Sequence, residues 1–145
     1  MASAWLAVLV VSALTVAAQS CSVVRSGDVL QHLEDAGFPV ALLGKAHVAE
    51  LKDYSDFLRC EPLFRSDEAW SLSASRQLDD VYWETVVFSV FAFPTHAAAV
   101  AEIGERTSWE AHARDNPDTD IYYYLEPRSS TAFKVSRARH TLGEE

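Results

Sequence analysis

The sequence predicts an α+β fold: a mainly antiparallel sheet of about four to five strands, with two or three helices packed on one side. Three observations predict it. Residues 81–93 are rich in Val, Phe, Tyr and Trp. They are apolar on both faces, with Val86, Phe88, Val90 and Ala92 on one and Val87, Ser89, Phe91 and Phe93 on the other. A strand of that kind sits centrally in its sheet. Residues 69–75 alternate, with Trp70, Leu72 and Ala74 set against serines at 71, 73 and 75, and the polar turn 77–80 joins them to the central run. Residues 121–125 and 131–136 form another pair around Pro127-Arg128-Ser129-Ser130, so hairpins dominate the order of elements.

The 145 residues suffice for one domain, and an apolar fraction of 49% suits a globular chain. Twelve Lys and Arg against 21 Asp and Glu leave a net charge of −9. That balance argues against nucleic-acid binding, because neutralising phosphates needs a basic face. Two cysteines are too few for a disulfide framework or a four-cysteine zinc site. Five glycines, none in a phosphate-loop pattern, provide no nucleotide cradle.

Residues 1–18 read as a signal peptide. They carry no charged side chain, and Val16 and Ala18 occupy the −3 and −1 positions of a secretory cleavage site before Gln19. A retained membrane anchor is the rival reading, but residues 2–18 fall short of the ~20 apolar residues of a span. The domain then covers 19–139, with 140–145 as a flexible tail. Cys21 has two mutually exclusive fates. A lipoprotein would carry a thioether-linked lipid on this sulfur, although Ala18-Gln19 fits the required leader poorly. Alternatively Cys21 pairs with Cys60, the only other cysteine, in an oxidising compartment. The disulfide is favoured, and it would staple an otherwise fraying strap, 19–26, to the domain.

The remaining elements follow in chain order. Asp28 with Gln31 has capping-box spacing and opens a helix whose inner face carries Leu30 and Leu33. Gly37 suits the left-handed position that ends it, and Pro39 prevents its return. Residues 40–43 are a short apolar run between turn signals, hence a strand. Residues 45–58 are ambiguous, since Val48, Leu51, Tyr54, Phe57 and Leu58 fall near helical spacing while Asp53, Ser55 and Asp56 weaken it. After the central strand, Pro94 stops the run and Thr95 caps an Ala-rich helix over 97–103, which ends at Gly104 or resumes through Ala113. Residues 115–120 form a loop by composition.

Several of these stretches resemble a group of small actinobacterial secreted or lipoprotein-like proteins. They are the β-run from Val86 through Phe91 and Phe93 into helix 95–103, the strand Tyr122-Tyr123-Tyr124 with its turn and Phe133-Lys134-Val135-Ser136, and the opening helix 29–37 with Phe38-Pro39. The likeness is one of element pattern without a diagnostic motif. It implies an exported α+β domain and no catalytic residues.

Chemistry-bearing patterns are sparse. His96 opens the Ala-rich helix and His32 shares its helix with Glu34 and Asp35; both read as solvated positions. Glu110 and His112, two apart, point to different faces of a helix and would share a face only on a strand. Asp115-Asn116-Pro117-Asp118-Thr119-Asp120 is rich in oxygen ligands, but it has Pro at the third place and no Gly at the sixth, so a turn is the better reading than calcium. No cofactor or metal is called for. The aromatic content is more suggestive: Tyr122 and Tyr124 on a sheet face, with Tyr82 and Trp83, form the candidate binding surface. The expectation is an exported, non-catalytic domain that binds a protein or cell-envelope partner, in contact with a membrane only through an uncleaved leader or a lipid on Cys21. Its acidity suits a basic partner. The alternative is a small secreted hydrolase using loop-borne acids, with Asp79, Asp80, Glu84 and Asp120 as candidates.

Overall fold

The doubly apolar run becomes β4 (Tyr82–Ala92), the fourth strand across a seven-stranded sheet. The computed structural model describes residues 20–61, 67–112, 118–141 and 143. The other strands are β1 (Ser20–Val24), β2 (Phe57–Glu61), β3 (Glu68–Gln77), β5 (Glu110–His112), β6 (Thr119–Leu125) and β7 (Thr131–Thr141). They lie in the order β1-β2-β3-β4-β7-β6-β5, every pair antiparallel. The sheet therefore has more strands than the four to five expected. The additions are the edge strands β1 and β5 and also β2, which begins in the stretch read as ambiguous, while the strand expected at 40–43 does not form.

At one edge, β1 is the segment expected to be a strap. It pairs with β2 in register, Cys21 opposite Cys60, and the two sulfurs form a disulfide. A sulfur in that bond carries no lipid thioether. At the other edge, of the two readings of the Ala-rich helix the end at Gly104 is the one that forms, and β5 stands where a resumed helix would have run. Gly104 ends that helix at a φ of +76°, where glycine has no steric penalty, and residues 110–112 add to β6. Position 113 and residues 115–117 lie outside the described residues.

Three α-helices join the sheet: α1 (Val29–Asp35), α2 (Gly44–Glu50) and α3 (His96–Ile103). Gly37, at a φ of +79°, follows α1 as expected. The capping box does not form. The Asp28 side chain makes no cap bond, and Gln31 donates instead to Asp35 at 2.8 Å. Residues 40–42 make a 3-10 turn and not a strand. Pro39 has no N–H to give, and the turn closes on itself through Leu42 N–H to Pro39 O and Leu43 N–H to Val40 O. Val40 and Leu43 are buried from the turn all the same. The ambiguous stretch 45–58 divides between α2, a 3-10 turn (Leu51–Asp53) and the start of β2.

The cross-strand register sorts the side chains. Trp70 faces Val90, Leu72 faces Phe88, and these in turn face Phe133 and Val135 of β7, with Tyr124 and Tyr122 beyond them on β6. This face is the core. Val29 and Leu33 of α1, Phe38, Val40, Leu43, Leu51 and Tyr54 cover it, and Phe38 packs within 5.4 Å of both Phe88 and Phe133. The helices do not all lie on this side, as had been expected. α3 covers one end of the opposite face, where Ala99 meets Leu125 and Ala132, with Phe91 and Phe93 packed alongside. The reason lies in β4 itself: a run apolar on both faces needs cover on both. Thr95 caps α3 by accepting from Ala98 N–H at 3.1 Å. β7 extends to Thr141, pairing His140 and Thr141 with Trp83 and Tyr82, so the ladder runs past Arg139. Among the described residues, no helix is long and apolar enough to cross a membrane.

Candidate functional site

The β3–β4 hairpin carries the clearest exposed feature. Its turn is built by Asp79, whose Oδ1 accepts the N–H groups of Val81 at 2.7 Å and Tyr82 at 2.8 Å. Gln77 Nε2 donates to Asp79 O at 2.9 Å, and Leu78 N–H reaches Tyr82 O at 2.9 Å. A short acid at this position can bond to the backbone ahead of it and so hold the turn. Around this frame stand Leu78, Val81, Tyr82 and Trp83, exposed by 38%, 48%, 40% and 37%. Tyr82 and Trp83 are neighbours on a strand and so project to opposite faces. Arg139 lies 5.8 Å from the Tyr82 ring, and His140 stands opposite Trp83. Tyr82 and Trp83, two of the four aromatic candidates, are therefore together at the end of the sheet.

The other two are not with them. Tyr122 and Tyr124 lie on the core face, not on an open sheet face. Tyr124 packs 5.8 Å from Trp109 and 6.2 Å from Phe133. Tyr122 is half-buried and lines a groove of about 270 Å³. Leu42, Leu43 and Leu51 form its helical wall, Phe88 and Val135 its floor, and Trp109 its edge; His47 and Arg137 add polar groups. One sequence signal pointed here. Arg137 continues the inward alternation Phe133, Val135, and a cation at a core-facing strand position marks either an ion pair or a site.

Arg137 in fact belongs to a network beside the groove. Its Nη2 donates to Glu50 at 2.6 Å and its Nε lies 3.9 Å from Glu84. Glu84 is buried and accepts from Tyr54 Oη at 2.5 Å and from Arg76 at 2.9 and 3.0 Å; Arg76 also reaches Asp53 at 3.3 Å. Burial, then the bond to Glu84, pushes the Tyr54 hydroxyl well above its ordinary pKa. The bond from Arg137 holds the Glu50 carboxyl below its ordinary value of 4.5. Tyr54→Phe should cost about 1.5–2 kcal/mol, the worth of a hydrogen bond to a charged group, read from urea melts. An unchanged midpoint would mean that Arg76 alone satisfies Glu84.

The Glu50 shift has a definite sign. A carboxyl depressed in the folded state adds stability above its unfolded pKa, and that stability is lost as pH falls through the folded one. Wild type and Glu50→Gln should therefore differ in Tm at neutral pH, and the gap should close as pH drops below 4.5. A gap that stays constant down to acid pH would contradict this. The pair is a third exposed, so the gap will be small.

The four acids considered for hydrolysis are not gathered in one cleft. Asp79 is engaged in the turn and Asp80 is exposed beside it. Glu84 is held by Tyr54 and Arg76, and Asp120 is exposed on β6 opposite Arg137. The histidines have structural surroundings. His96 Nδ1 lies 2.5 Å from Ser129 O and ties α3 to the β6–β7 turn. His32 has its pKa lowered, first by burial and then by Arg59. Glu110 and His112 stand on a strand, the geometry set aside for them in favour of a helix. In comparisons with protein families, curated proteins and solved structures, nothing matches the chain.

Proposed function

We propose that the chain is an exported, non-catalytic domain that binds a protein partner through the tip of the β3–β4 hairpin. The observation that carries this reading is the set of four large apolar side chains exposed within six positions, Leu78, Val81, Tyr82 and Trp83, on a turn already held by Asp79. Exposed apolar clusters on monomers mark contact surfaces, and Tyr and Trp are enriched among residues that dominate binding. A preorganised turn lowers the entropy cost of docking. Asp79 and Asp80 within the tip, and the net charge of −9, favour a basic partner surface. Export is supported by the uncharged leader 1–18, by the resemblance in element pattern to exported actinobacterial proteins, and by a disulfide of the kind that persists in oxidising compartments.

The test is affinity capture from the envelope fraction of the producing cells, comparing the mature domain with Tyr82→Ala/Trp83→Ala. The double variant should retain its fold, because both side chains are over a third exposed. Loss of two anchors should weaken capture of a specific partner at least about thirtyfold. Equal capture by both proteins would place the contact elsewhere.

A further inference from the structure

The face of the sheet turned away from α1 and α2 is unlike an ordinary solvent face. One row crosses it in register: Val23, Leu58, Ser73, Val87 and Ser136. The next holds Ser75, Thr85 and Ala138. Neither row contains a charged side chain, in a chain that is 23% charged. The solvated face of an antiparallel sheet ordinarily carries the polar half of the alternation, charges included. Here the same strands send their charges the other way. Arg59, Arg76, Glu84 and Arg137 all lie on the side that α1 and α2 cover. α3 stands only at one end of the uncharged face, around Leu125 and Ala132, and neither hydrophobic cluster includes Leu58 or Val87. Val23 and Leu58, side by side, are 69% and 42% exposed, and Ser73, Val87 and Ser136 are partly exposed. Three of the hydroxyls are already engaged. Ser75 and Thr85 bond each other at 3.0 Å, and Ser73 donates to Leu58 O at 3.5 Å. Drying such a face costs less than drying one with free polar groups.

Charge and shape select the occupant. A net charge of −9 makes copies of this chain repel one another through their charged surfaces, so self-association needs a surface without charge. A basic partner gains nothing here, because these rows offer it no carboxylate. An equally flat, uncharged surface is what fits, and a second copy supplies one. Sheets of the same twist stack face to face about 30° apart and about 10 Å deep, and small Ser, Thr, Ala and Val side chains leave room for it. Residues 71–77 span about 20 Å of β3, and the five strands from β1 to β7 lie about 4.8 Å apart, a footprint of roughly 500 Å². Two copies would bury about 1,000 Å² in all, the lower limit of a specific interface. We infer that the uncharged face around Leu58, Ser73, Val87 and Ser136 is the contact surface of a symmetric dimer, two copies stacked sheet on sheet.

Sedimentation equilibrium of the purified protein, from about 10 µM to about 1 mM, is the test. An interface of this size should give a dimer with a Kd of about 10–100 µM. Raising the salt should tighten it about threefold, because it screens the repulsion between two acidic copies; an interface made of ion pairs would weaken instead. Amide shifts that change with concentration should centre on 71–75, 85–89 and 134–138. Leu58→Glu and Ser75→Lys place opposite charges at exposed positions of the face, and each should weaken the dimer at least about tenfold. Leu42→Glu makes the same change at a 43% exposed position on the helical side and should leave the dimer intact. Thermal melts of each variant confirm that it is folded. No partner is present, so the result stands or falls apart from the reading of the hairpin tip. A monomer at all concentrations, face variants that dimerise like wild type, equal loss in Leu42→Glu, or shifts confined to β1 or to the hairpin tip would each overturn the inference.

Discussion

Phe88→Ala should lower stability by about 3–5 kcal/mol in urea melts. Phe88 is 1% exposed in the central strand and touches the core from several directions. Phe38 meets it edge-on at 5.4 Å, Phe57 lies at 6.3 Å, and Leu72 and Val135 flank it in register on β3 and β7. The ladders on both sides fix the backbone, so the space vacated cannot close, and both transfer and cavity costs apply. Phe91→Ala is the comparison. It sits on the opposite face, half-buried beside α3, and should cost clearly less. A loss below about 1 kcal/mol for both Phe88→Ala and Val90→Ala would remove β4 from the centre of the core.

Removing the Cys21–Cys60 bond, by reduction or by Cys21→Ser/Cys60→Ser, should cost about 3–4 kcal/mol, the loop-closure entropy of its 39-residue separation. The loss should be local in its first effect. β1 is an edge strand of five residues, and only Val24 among them is buried while Val23 is 69% exposed. Little apolar contact holds β1 once the tether is cut, so hydrogen exchange should show its amides opening before those of β4 and β7. Two reactive thiols in unreduced, denatured protein would show that the bond is not there. A covalent dimer without free thiols would make it intermolecular. A loss far below about 3 kcal/mol would mean that the β1–β2 ladder holds the strand without help.

These two expectations were legible early because their causes are local or combinatorial. The alternation of 69–75 and the unbroken apolarity of 81–93 require a hairpin with a buried strand, whatever packs on it. Two cysteines allow a single intramolecular pairing. The site was less legible. Tyr122-Tyr123-Tyr124 alternates as any strand does, but which face is buried depends on where α1 and α2 land, and that is set by contacts from residues 29–54 across the sheet. The same holds for Glu84. Nothing nearby in the sequence shows that Tyr54, 30 positions earlier, will donate to it.

The sequence by itself determined the antiparallel α+β class, the central strand and its partner, the end of α1 at Gly37, the helix after Thr95 and the identity of the cysteine pair. Each rests on side-chain period, on φ preference or on counting, all properties of a short window. Only the tertiary structure decided the edge strands β1 and β5, the 3-10 turn at 40–42 and the placement of α3 on the face opposite α1 and α2. It also decided the placement of Tyr122 and Tyr124, half-buried, on the core face, the exposure of the hairpin tip, and the gathering of Arg137, Tyr122 and Trp109 around one groove. Edge strands have weak patterns of their own and exist through the ladder of a neighbour. A side chain's burial depends on what covers its face, and those covering residues lie tens of positions away along the chain.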